Sequence, residues 1–133
     1  MKIGIKDAEL AWLAGLVDGD GSICISKSKN NKGHVQLTVT NSHKDTIDRL
    51  REMVGTGHVR LKRRSPGLII NRRPCYLWMV NTNKACSILS FLLPYLFTKK
   101  EQAILAIAYQ RTSGEEERGA IQSRISNLNH GGL

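Results

Sequence analysis

Leu13-Ala14-Gly15-Leu16-Val17-Asp18-Gly19-Asp20-Gly21 is the stretch on which the reading of this chain turns. It closes a longer run that opens at Asp7, a residue type suited to an N-cap, with Glu9 in the first turn, so a helix is predicted from about Ala8 to Asp18. From Leu10 to Val17 every residue is apolar or small. A helix that is apolar all round must be covered on several sides, and in a chain of 133 residues one of those sides is left for another chain. Ala11, Gly15 and Asp18 share a face at spacings of four and three. Small residues there let a second helix approach backbone to backbone, and Ala14 is assigned to the same expected interface. Asp18 and Asp20 then fall at the helix C-terminus, where the macrodipole already places partial negative charge. Pairing two such ends doubles that charge, so a cation must offset it, and carboxylate oxygens favour Mg²⁺ or a similarly hard ion such as Mn²⁺. Asp-Gly-Asp-Gly alone is an ordinary turn. A calcium loop starting at Asp18 is excluded by spacing, because Ile23 and Lys29 stand where Gly and Glu are required.

Downstream the pattern changes from helical to alternating. Ile23 and Ile25 alternate with polar or small residues over 22–28, Asn30-Asn31-Lys32-Gly33 signals a turn, and Val35, Leu37 and Val39 alternate again, predicting a hairpin. Ser42 with Asp45 predicts the start of a helix that carries Ile47, Leu50 and Val54 on one face and stops at Gly55. A strand over 57–64 with Val59 and Leu61 inward, a Ser65-Pro66-Gly67 turn and a strand over 76–80 form a second hairpin. Ala85, Ile88, Leu89 and Leu92 mark a helix ending near Pro94. Thr98-Lys99-Lys100-Glu101 reads as a capping box for the next helix, and Ile121, Ile125 and Leu128 mark a last one. The order is helix, two strands, helix, two strands, then helices: an α+β fold with a four-stranded antiparallel sheet backed by helices. It is read as a single domain over 1–133, with a core at about 7–112 and a C-terminal helix and loose tail over 113–133.

Twenty Lys and Arg against eleven Asp and Glu leave a net charge of +9, which favours a polyanion partner. The charge is segregated. With the apolar strand residues inward, alternation turns outward Ser26, Ser28, Gln36, Thr38, Thr40, His58, Arg60, Lys62 and Arg64, with Asn30, Lys32 and His34 at the hairpin end and Arg72 and Arg73 in the second hairpin. No Asp or Glu occurs from Gly21 to Val39 or from Gly57 to Val80. Hydrogen-bonding and cationic side chains on a two-stranded ribbon suit base edges and phosphates in the DNA major groove. Cys24, Cys75 and Cys86 have no short spacing, and the four histidines are scattered, so neither a disulfide framework nor a zinc site is expected. The N-terminus lacks a signal-peptide apolar run and no stretch approaches membrane-spanning length, so a soluble intracellular protein is expected, with no membrane partner.

The nine residues from Leu13 to Gly21 match seven letters of the LAGLIDADG signature, with Val17 for isoleucine and Gly19 for alanine. The element order is also similar to that family of homing endonucleases, over about residues 7–112. The resemblance implies a metal-dependent DNA endonuclease with the αββαββα homing-endonuclease fold. Asp20 would bind catalytic metal, helped by the Gly19 carbonyl, while Asp18 would brace the helix ends. Asn41 and Lys99 match by position the polar amide and the late lysine that the family keeps around its metals, and Lys44 is the nearest candidate for a further basic residue. One motif per chain resembles the homodimeric branch, whose symmetry demands a long, roughly palindromic duplex target. An RNA maturase assisting intron splicing and a non-cleaving DNA-binding regulator are the rival readings. Retention of Asp20 and Lys99 argues against pure binding.

Overall fold

The computed structural model describes residues 4–27, 32–62 and 74–131. Helix α1 spans Asp7–Asp20, two residues further than the sequence pattern indicated, so both aspartates belong to its last turn. Lys6 rather than Asp7 is the N-cap residue, with the Lys6 N–H donating to Glu9 Oε1 at 3.1 Å. Asp7 instead accepts a hydrogen bond from the Tyr95 hydroxyl at 2.9 Å. Leu10, Leu13, Ala14 and Val17 turn one face of α1 into the core. The chain passes straight from Asp20 into β1 (Gly21–Lys27). A side chain at Gly21 would meet the Val17 Cα and carbonyl oxygen at 2.7 Å, so the tightness of this junction requires glycine.

Strands β1, β2 (Gly33–Asn41), β3 (His58–Lys62) and β4 (Cys75–Asn81) form one antiparallel sheet in the order β1-β2-β4-β3. Register aligns Ile23 with Leu37, Leu37 with Val80 and Val39 with Trp78, and all five are buried on the inner face. Fully burying side chains of this kind is worth about 1.5–3 kcal/mol apiece. The Trp78 indole N–H donates to the Thr56 carbonyl at 2.9 Å, so the ring's polar edge is satisfied. Val59 and Leu61 depart from expectation. They share the inner-face parity of their partners Trp78 and Tyr76, yet remain 38% and 44% exposed. β3 is an edge strand, and all five of its residues are exposed.

Helix α2 (Lys44–Val54) buries Ile47, Leu50, Met53 and Val54 and stops at Gly55, whose φ of 83° is the left-handed conformation of a C-terminal stop. The expected Ser42 cap does not form; His43 is the N-cap residue, without a side-chain cap. Thr82, at φ 53°, turns β4 directly into α3 (Thr82–Leu92), which buries Ala85, Cys86, Ile88, Leu89 and Leu92. Helices α4 (Lys100–Arg111) and α5 (Glu115–Asn129) complete the chain. The capping box at Thr98 does not form either: Lys99 is the N-cap residue, and Glu101 pairs with Arg124 of α5 at 2.9 Å. Asn129 donates to the Ile23 carbonyl at 2.8 Å, so the end of α5 is tied to strand β1 at the other sheet edge. Cys24 and Cys86 are free thiols, and no helix among the described residues is long and apolar enough to cross a membrane.

Candidate active site

The C-terminus of α1 and the N-terminus of α4 exchange charge. Asp18 accepts hydrogen bonds from the Phe97 N–H at 2.9 Å and the Lys99 N–H at 3.0 Å, which places a carboxylate at the positive end of α4. Lys99 Nζ reaches back to the Asp18 carbonyl at 2.7 Å. α1 carries no basic residue in its last turn, so Lys99 supplies the missing cation from another element. Asp18 thus braces α4 within its own chain, in place of the Thr98 cap.

Asp20 is exposed beside this lock. Its Oδ2 accepts a hydrogen bond from Asn41 Nδ2 at 2.9 Å, while Asn41 Oδ1 accepts from the His43 N–H at 2.7 Å. The end of β2 and the start of α2 therefore orient the carboxylate through one amide. Among the described residues Asp20 is in no ion pair. Gly19 is exposed next to it, and a side chain there would meet nothing within 4 Å. Asp20, Gly19, Asn41 and Lys99, chosen from widely separated positions in the sequence, converge on this corner. Lys44 is engaged elsewhere, with Asp48 at 2.6 Å; that hydrogen bond to the carboxylate raises the Lys44 pKa.

The donor set is oxygen: one carboxylate and the nearby backbone. Among the described residues no three His, Cys, Asp or Glu side chains gather as a metal cage. An ion of the Mg²⁺ type fits such a site, because it keeps several waters and takes one or two carboxylates plus substrate phosphates.

Ala11 and Gly15 are exposed along α1 and Asp18 is half-buried at its end, whereas Ala14 is fully buried in the core. The expected interface role therefore fails for Ala14. A helix apolar on every side gives no sequence clue to which small residues turn inward. Phe97, 89% exposed beside the Asp18 lock, is an apolar residue that the sequence reading missed; it stands two positions before Lys99 in a segment without periodicity, so no pattern marked it.

The outer face of the sheet carries Ser26, His34, Gln36, Thr38, Thr40, His58, Arg60 and Lys62, by the register of the four strands. Ser28, Asn30, Arg64, Arg72 and Arg73 lie outside the described residues. Lys32 is exposed at the foot of the first hairpin. The same face includes Cys24 on β1 and Leu77, Met79 and Asn81 on β4, none of which the sequence pattern had assigned to it. Gln36 donates to the Met79 sulfur at 2.9 Å and to Asn81 Oδ1 at 3.3 Å, and Cys24 Sγ donates to Gln36 Oε1 at 3.8 Å. Burial pushes the Cys24 thiol pKa up, which keeps it a neutral donor.

The family model for LAGLIDADG endonuclease matches residues 13–109. No curated protein sequence matches the chain. Among solved structures, the homing endonuclease I-CvuI in complex with its target in the presence of Ca is 25% identical, with a TM-score of 0.72 over 91% of this chain and 82% of that one. I-CvuI with the I-CreI target in the presence of Mg, its DNA not cleaved, gives a TM-score of 0.64 at 25% identity, covering 91% and 77%. The archaeal intron-encoded homing endonuclease I-Vdi141I, complexed with DNA, shares the fold at 13% identity and a TM-score of 0.61, covering 94% and 99%. A family match running from Leu13 to Tyr109, through α1, the whole sheet and most of α4, means that this chain belongs to the LAGLIDADG endonuclease family.

Proposed function

We propose that this chain is a site-specific, metal-dependent DNA endonuclease that works as a homodimer, each protomer a single domain, on a long and roughly palindromic duplex. The observation that carries the reading is the end of α1. An exposed carboxylate, oriented by Asn41, sits at the foot of a helix whose exposed stripe is apolar and small. Two such stripes packed about a twofold axis bring two Asp20 carboxylates together, one for each DNA strand.

Asp20, with the Gly19 carbonyl, would hold a Mg²⁺-type ion, which would supply positive charge beside the scissile phosphate and lower the pKa of a bound water. Asn41 holds the carboxylate in one orientation. Lys99 keeps positive charge against the α1 terminus, where two acidic ends otherwise repel. The outer sheet face supplies amides, hydroxyls and cations to base edges and phosphates, and the net charge of +9 draws the protein to DNA.

The test is incubation of the protein with a randomised duplex library and Mg²⁺, followed by sequencing of the ends. One family of cut sites with related half-sites is expected. A library that is bound but never cut removes the nuclease and leaves a DNA-binding protein of the same fold; a library neither bound nor cut removes DNA as the substrate.

A further inference from the structure

A cleft of about 420 Å³ opens where α2, β3, β4 and α3 meet, and the function above does not use it. Arg51, His58, Asn81 and Lys84 line it, and no acidic residue does. It adjoins the outer sheet face, because His58 pairs with Met79 and Asn81 with Gln36 on that side. Arg51 Nε donates to the Gly57 carbonyl at 2.8 Å, which ties the guanidinium to the cleft wall. Lys84 occupies the first turn of α3, which contains no acidic residue. A cation there opposes the helix dipole. Among the described residues neither Lys84 nor His58 has an ion-pair or side-chain hydrogen-bond partner. Two cationic side chains, Arg51 and Lys84, face one hollow whose lining holds no acidic residue, so an anion is the ligand that suits it.

We propose that this cleft seats a backbone phosphate of the bound duplex. The inference rests on the DNA reading and deepens it by adding a contact at the opposite edge of the sheet from β1, three strand spacings away, on the order of 14 Å. A phosphodiester oxygen takes charge-assisted hydrogen bonds from Arg51 and Lys84 and a third from Asn81 or His58. Such a contact sets the position of the duplex on the sheet and carries no sequence information.

The test is equilibrium binding of the full chain to random-sequence DNA duplexes across a salt series, comparing the parent with Lys84→Gln, Lys84→Arg and Lys6→Gln. Lys84→Gln should weaken binding equally on unrelated sequences and flatten the log–log salt slope by about one unit. Lys84→Arg should keep the parent slope. Lys6→Gln, at the far end of α1 from the sheet, should leave the slope unchanged. The proposal is overturned if Lys84→Gln keeps the parent slope, if Lys6→Gln flattens it equally, or if the loss is confined to particular base sequences. A parent that binds no duplex overturns the DNA reading and this seat with it, and that result is recognised without any variant.

Discussion

Helices α1 and α2 each turn four residues into the core, Leu10, Leu13, Ala14 and Val17 in one and Ile47, Leu50, Met53 and Val54 in the other. Away from the core they differ. α2 shows solvent Lys44, Asp45, Arg49 and Glu52, carries Arg51 in its last turn, and stops at a left-handed glycine. α1 shows Ala8, Ala11, Gly15 and Gly19, and its last turn has two aspartates and no base. Everything α2 needs is inside the chain. α1 has an apolar stripe without cover and a terminus with excess negative charge, and these are what a second protomer and a cation would complete. The difference locates function in the helix that is unfinished as a structural element.

The largest effect expected at that unfinished end is on catalysis. Asp20→Asn should lower cleavage by at least about a thousandfold, or about 4 kcal/mol of transition-state stabilisation, with duplex binding retained. The same substitution removes a negative charge from a helix C-terminus, so the melting point should hold or rise, by the equivalent of about 0.3–1 kcal/mol. Cleavage assays and calorimetry on one sample check both halves; a stabilised protein that still cuts would break the comparison.

The next effect is on association. A side chain at Gly15 meets nothing within 4 Å in the protomer, so Gly15→Leu should leave the fold intact while weakening the dimer by ~1–3 kcal/mol, roughly 5- to 150-fold. Glu52→Leu, on the exposed face of α2, should leave the monomer–dimer equilibrium where it was. Sedimentation equilibrium on the pair sharpens the contrast, and equal behaviour of the two variants would erase it.

The smallest effect is alkaline. Each helix has an exposed tie whose donor titrates in alkali, Tyr95 to Asp7 on α1 and Lys44 to Asp48 on α2, and the hydrogen bond to the carboxylate raises both pKa values, from 10.0 and 10.5. A group whose folded pKa is raised stabilises fully below its unfolded value and loses that contribution as pH climbs through the folded one. Melting points should therefore decline slightly above pH 10. Tyr95→Phe and Lys44→Met together should flatten that limb, and a decline unchanged in the double variant would assign it to other groups.

Most of the fold is legible because periodicity is a local signal. The helix that opens the chain, the first hairpin, α2, and the run from Ala85 to Leu92 all lie where spacing places them. Legibility ends where a decision depends on neighbours. Alternation places Val59 and Leu61 on the inner parity but cannot report that β3 is the sheet edge. The all-apolar α1 gives no phase, so Ala14 could not be told from Ala11. Thr98 and Glu101 have cap spacing, but Asp18, eighty positions upstream, holds the Phe97 and Lys99 N–H groups and Glu101 pairs with Arg124 instead. At the site, the string from Leu13 to Gly21 announces Asp20, whereas Phe97, Cys24, Met79 and Asn81 become visible only through tertiary placement.

The amide of Asn41 bridges the Asp20 carboxylate and the His43 backbone. Its consequence is kinetic as well as geometric. The carboxylate waits in a single rotamer, so the ordering of its two torsions happens while the protein folds and not during the encounter with ion and duplex. Shortening that bridge, as in Asn41→Ala, would leave every ligand atom in place and yet return a freely spinning acid to the corner. Onset of cutting would then lag most where divalent ion is scarce.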